Sequence, residues 1–132
     1  EAELRRQVAS SPWHAGALSL LANIALSEAR YDEARALLEQ GLAISPALGR
    51  AHERLGRIAL EQGRPRDALH EFEHERALQR DRPGIAFLIG QAWQSMGEPG
   101  RARDGYRREL RIDPGNPEAR DVLAALDRRP AR

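Results

Sequence analysis

Five consecutive residues are spaced for metal chemistry. His70-Glu71-Phe72-Glu73-His74 sets two imidazoles four residues apart, about one helical turn, with a carboxylate between them. On a helix such a pair can share one Zn²⁺. The intervening Glu71 can then act as general base on a metal-bound water, the chemistry of zinc-dependent peptide hydrolysis. Three features oppose that reading. Phe72 occupies a periodic bulky position that a helix would bury, which turns both His toward the outer surface. His14 and His52 stand alone, and no third ligand has a fitting spacing. Glu73 and Glu75 add charge where such sites carry uncharged residues. The pair is read as a solvated face. Neither catalytic, cofactor-binding nor metal-ligating residues are expected, and the metallopeptidase ranks third among the functional readings.

Other reaction classes fail on residue types. All 21 basic residues are Arg, so no P-loop lysine, Schiff-base lysine or Ser–Lys dyad can form. With no Cys, disulfides, thiol nucleophiles and Cys-ligated zinc are excluded, and the redox compartment stays open. Neither G-x-S-x-G nor G-x-G-x-x-G occurs. Basic and acidic residues nearly cancel, 21 against 20, which leaves no electrostatic footprint for nucleic acid or an anionic membrane. Residues Ser10 to Ser27 carry no formal charge, yet Pro12, His14, Asn23 and Ser side chains interrupt them, so no membrane insertion is expected. Arg64, Arg66, Arg80 and Arg82 read as a basic surface rim. Exclusive use of Arg points to a GC-rich, bacterial source.

The elements that must position any site follow from a 34-residue period. Leu21, Leu55, Ile89 and Leu123 recur at that step. So do the small residues Ala22, Gly56, Gly90 and Ala124, and the bulky Leu38, Phe72 and Tyr106. Ala34, Ala68 and Ala102, then Ile44, Leu78 and Ile112, keep the same register, and Pro12, Pro46 and Pro114 close it. Within each period apolar residues recur at helical spacing, as Leu18, Leu21, Ala22 and Ala25 do. Gly63 and Gly97 suit the left-handed residue that ends a helix, with Pro65 and Pro99 in the first turn of the next. The pattern predicts eight helices, near 2–10, 15–28, 32–44, 49–62, 65–80, 84–96, 99–111 and 117–127.

At these residues the chain resembles the tetratricopeptide repeat family, whose unit is a helix–turn–helix with small, bulky and Pro slots in this order. The resemblance implies an all-α, right-handed superhelical solenoid. Residues 1–14 would be the second half of a truncated repeat, 15–48, 49–82 and 83–116 three repeats, and 117–132 a capping helix and tail. Val122, Leu123 and Leu126 would turn inward on the cap, with Glu118, Asp121, Asp127 and Arg128 outward. Two departures touch the packing, since a small-residue slot late in the second helix holds Glu75 and Glu109.

The resemblance also implies a function. First helices of such repeats line a concave groove that holds peptides or partner proteins, and its exposed slots here include Asn23, Arg50, Glu53, Arg57, Phe87, Gln91 and Gln94. Phe87 reads as an exposed aromatic anchor. Trp93 falls in a core slot, and Trp13 could staple a helix start or touch the groove edge. Arg57 can pair with Glu53 or Glu61, each four residues away. A known subfamily clamps acidic C-termini in this groove, but its basic slots fall here on Ser19, Gly84 and Leu88. The expected function is a non-enzymatic protein-interaction module. The alternative is an accessory domain that positions the catalytic region of a larger enzyme. Leu4 and Val8, four apart, predict an unfinished N-terminal face open to self-association.

Overall fold

The computed structural model describes residues 14–128, which form seven helices and no strand. These are α1 (Ala15–Ser27), α2 (Tyr31–Ile44), α3 (Ala51–Glu61), α4 (Pro65–Leu78), α5 (Ile85–Ser95), α6 (Pro99–Ile112) and α7 (Pro117–Asp127). The all-α class expected from the sequence is correct. The predicted helix near 2–10, with Leu4, Val8, Pro12 and Trp13, lies outside the described residues.

Turn chemistry fixes where the helices stop. Ala29, Gly63 and Gly97 hold the left-handed conformation at φ 57°, 72° and 75°, one at each 34-residue step. The following N–H groups of Arg30, Arg64 and Glu98 return to carbonyls of Ala25, Ala59 and Trp93 at 2.8, 2.8 and 3.0 Å, which ties off α1, α3 and α5. Pro65 and Pro99 then open α4 and α6, where the missing N–H is not needed. Helices α3 and α5 start later than the sequence suggests. Their N-caps, Arg50 at φ 60° and Gly84 at φ 102°, are left-handed and turn the chain before the helix can begin. Asn116 caps α7 by accepting a hydrogen bond from the Ala119 N–H at 3.1 Å.

Small residues facing bulky ones let each helix pair close. A Cβ on Gly56 would lie 2.3 Å from the Phe72 ring, and one on Gly90 would lie 2.7 Å from the Tyr106 ring. Both rings are fully buried. Three core clusters follow one another along the chain. Leu21, Ala22 and Leu38 pack with Leu55 and Ile58 of the next pair. Phe72 and Ala68 pack with Ile85, Leu88 and Ile89. Tyr106 packs with Phe87, Ala119 and Leu126. Half-buried Trp93 packs against the second and third clusters, in agreement with its core slot. The cap helix behaves as expected: Leu126 is buried, Val122 and Leu123 lean on the core, and Glu118, Asp121, Asp127 and Arg128 face solvent.

Glu75 and Glu109 do not loosen the packing. Both are buried, at 1% and 0% exposure, because each finds a partner inside the fold. Glu109 accepts hydrogen bonds from the Gly84 N–H at 3.0 Å and the Phe87 N–H at 3.2 Å, so a carboxylate from α6 satisfies the open N-terminus of α5. Glu75 pairs with Arg82 at 3.3 Å. Among the described residues no helix is long and apolar enough to cross a membrane.

Candidate functional site

The first helices of the three pairs, α1, α3 and α5, carry the candidate face. Equivalent positions at 34-residue steps show how it is built. Asn23, Arg57 and Gln91 are all exposed, as are Ser27, Glu61 and Ser95 one turn further on. The column four residues before Asn23 behaves differently. Ser19 is half-buried, and Glu53 and Phe87 are each only 9% exposed. Of the seven sequence-predicted groove residues, Asn23, Arg50, Arg57, Gln91 and Gln94 are exposed, and Glu53 and Phe87 are not.

The Phe87 expectation is corrected for a physical reason. Its ring lies 5.3 Å from that of Tyr106 and belongs to the cluster closed by Ala119 and Leu126 of the cap helix. An exposed anchor it is not. Gln94 is exposed but held, since the buried Tyr106 hydroxyl donates to its Oε1 at 2.6 Å. Burial pushes the Tyr106 phenol up to about 12.

Charge concentrates at the middle of the face. Glu53 accepts from Arg57 Nε at 3.2 Å and also pairs with Arg82. Arg82 therefore bridges Glu53 and Glu75 with only 15% of its side chain exposed, and is not part of a surface rim. Arg57 chooses Glu53, and no pair with Glu61 forms. Arg54, half-buried on α3, donates to the Ser19 hydroxyl at 2.9 Å and lies 3.4 Å from the Gly49 carbonyl. Burial is the largest influence on its guanidinium and lowers its pKa; Glu53 and Glu75 oppose that, while Arg50 and Arg82 reinforce it. Its hydrogen bonds thus go to neutral oxygens, while its surroundings hold both carboxylates and further cations. Arg54 carries the most distinctive electrostatics on the face. Its signal was the run Arg50, Arg54, Arg57 at i, i+4, i+7.

The His-rich stretch is also placed differently from the expectation. His70 and His74 are exposed on α4, as predicted. His52, expected to stand alone, stacks on His74 and brings Nδ1 to 2.8 Å from Glu71 Oε1. Among the described residues no three His, Asp or Glu side chains converge on one point as a metal site.

This is a solenoid of helix pairs whose first helices expose a row of polar side chains. Residues 25–81 match the tetratricopeptide repeat profile. No curated protein matches the sequence. Among solved structures, the first tetratricopeptide domain of Spaghetti (RPAP3) bound to the HSP90 peptide SRMEEVD aligns at 20% identity and TM-score 0.83, covering 89% of this chain and 93% of that one. MamA aligns at 18% identity and TM-score 0.85 over 93% and 72%. The Yersinia enterocolitica type III secretion chaperone SycD, in complex with a peptide of the translocator YopD, aligns at 17% and TM-score 0.74 over 85% and 86%. The profile match covers residues 25–81, and the chain as a whole has the fold of tetratricopeptide repeat domains.

Proposed function

We propose that the chain is a non-enzymatic protein-interaction module that receives an extended segment of a partner along α1, α3 and α5. The observation that carries the reading is the exposed column Asn23, Arg57 and Gln91, one side chain per first helix at a constant step. Structures of the same fold are known with peptides bound, the HSP90 peptide on Spaghetti and the YopD peptide on SycD. The contacting side chains are Asn23, Arg50, Arg57, Gln91 and Gln94, with Glu53 setting the orientation of Arg57 from below. Amide side chains offer both donors and acceptors, which suits a peptide backbone.

Arg54 adds a preference. The hydrogen bonds of this half-buried guanidinium go to neutral oxygens, with Glu53 and Glu75 acting on it only through their charge, so an incoming carboxylate would add charge-assisted hydrogen bonds, which are stronger than neutral ones. The partner segment therefore carries an acidic residue that reaches Arg54 and Arg50. The segment can come from another protein or from a catalytic region joined to the same polypeptide. Selecting peptides from a random library tests both points. Acidic peptides should be enriched, and their binding should fall about tenfold or more in Arg54→Gln and in Arg57→Ala. Arg66→Ala, on a second helix, should leave it unchanged. Selected peptides that bind all three variants alike would place recognition elsewhere.

A further inference from the structure

The outer side of the solenoid carries one kind of crevice twice. The first lies between α2 and α4 over α3, encloses about 460 Å³, and has Leu55, Ile58 and Ala59 as its floor. The second lies between α4 and α6 over α5, encloses about 430 Å³, and is lined by Leu69, Trp93 and Arg101 among others. The 34-residue step makes their linings comparable position by position.

The second crevice supplies its own cation. The Arg101 guanidinium lies 4.6 Å from the centroid of the Trp93 ring, a positive charge over an apolar surface. In the first crevice both members of that pair are replaced. Ala59 stands at the position equivalent to Trp93, and Asp67 at the position equivalent to Arg101. A methyl group takes the place of the ring, and a carboxylate that of the guanidinium.

The rim of the first crevice is short of positive charge. Two Arg line it against three carboxylates. Arg35 is held by Asp32 at 3.1 Å, and Arg64 donates to the Gln62 side chain. Glu71 is engaged by His52 at 2.8 Å. Glu39 on α2 and Asp67 on α4 are exposed and have no ion pair among the described residues.

We infer that the crevice between α2 and α4 binds a Lys or Arg side chain from a basic segment of a partner protein. The methylene stem lies over Leu55, Ile58 and Ala59, and the charged head reaches Glu39 and Asp67. Long cationic side chains bury their stems on apolar surface and keep the head at a wet rim, which is what this lining offers. The outer crevice and the first-helix face therefore select opposite charges, and neither depends on the other.

NMR titration of the isotope-labelled chain with the acetylated, amidated peptide Gly-Lys-Ser-Lys-Gly tests the assignment. Amide shifts should centre on Glu39, Ala59 and Asp67. Replacing both Lys by Glu should abolish them. Replacing both by diaminopropionate, which keeps the charge and shortens the stem, should weaken them. Affinity should fall about threefold in Glu39→Gln and in Asp67→Asn, the scale of exposed ion pairs, and about tenfold in the double variant. Both changes are on the surface, and circular dichroism checks that the fold is kept. Arg64→Gln removes a competing cation and should not weaken binding. Arg54→Gln should leave it unchanged, which separates failure here from failure of the first-helix reading. Absence of shifts in the crevice would overturn the proposal. Equal binding of the Glu peptide or of the short-stemmed peptide would do the same, as would affinity that survives the double variant or drops in Arg64→Gln.

Discussion

Two buried polar residues carry more of the fold than their type suggests. Glu109 contributes no charge to the surface, but two backbone N–H groups at the start of α5 end on its carboxylate. Removing it strands those donors in a dry site, which costs about 1–3 kcal/mol for buried unsatisfied groups. Glu109→Ala should therefore lower the urea midpoint strongly. Glu109→Gln, which keeps an acceptor oxygen, should lower it less. Tyr106 gives a pH signature. Its phenol titrates near 10 in an unfolded chain and about 12 here, so the folded state holds the proton more tightly. Stability is complete below about pH 10, falls as pH rises toward 12, and loses roughly 2–3 kcal/mol in total. Urea melts at increasing alkaline pH should show that decline, and Tyr106→Phe should remove this part of it.

At the scale of elements, two positions invert the usual preference between Gly and Ala. Ala29 sits at φ 57° where its equivalents are Gly63 and Gly97, so Ala29→Gly should stabilise the turn after α1 by on the order of 1 kcal/mol. Gly56 lies inside α3, where Ala is normally better by about 1 kcal/mol. Its added Cβ would meet the fully buried Phe72 ring at 2.3 Å, and overpacking of that kind costs about 1–3 kcal/mol. Gly56→Ala should therefore lower the melting temperature. Much of this scale was legible in the sequence, because a 34-residue period, turn glycines and prolines are local signals. The late starts of α3 and α5 were less so. Arg50 adopts a left-handed conformation that Arg seldom takes, and nothing in its neighbours announces it. Glu109 was misread as a packing defect for a similar reason, since its partners Gly84 and Phe87 lie more than 20 residues away.

The whole molecule shows where sequence reading of a site runs out. A helical period identifies which residues share a face, and it correctly exposed Asn23, Arg57 and Gln91. It does not report what neighbouring elements cover. Phe87 is buried because α6 and α7 close over it, and Glu53 because Arg82, 29 residues away, returns to meet it. His52 was invisible as a partner of Glu71 for the same reason, at a separation of 19. The first-helix face is thus a row of exposed polar side chains over a sealed core, with half-buried Arg54 among paired charges at its centre. Chemical-shift mapping on the isotope-labelled chain with a library-selected acidic peptide tests this most directly. Binding along that face requires a continuous track of shifts through Asn23, Arg54, Arg57, Gln91 and Gln94, with α4 and α6 outer residues such as Arg66 and Arg101 undisturbed. Shifts confined to the crease formed by Arg66, Trp93 and Arg101 would contradict it.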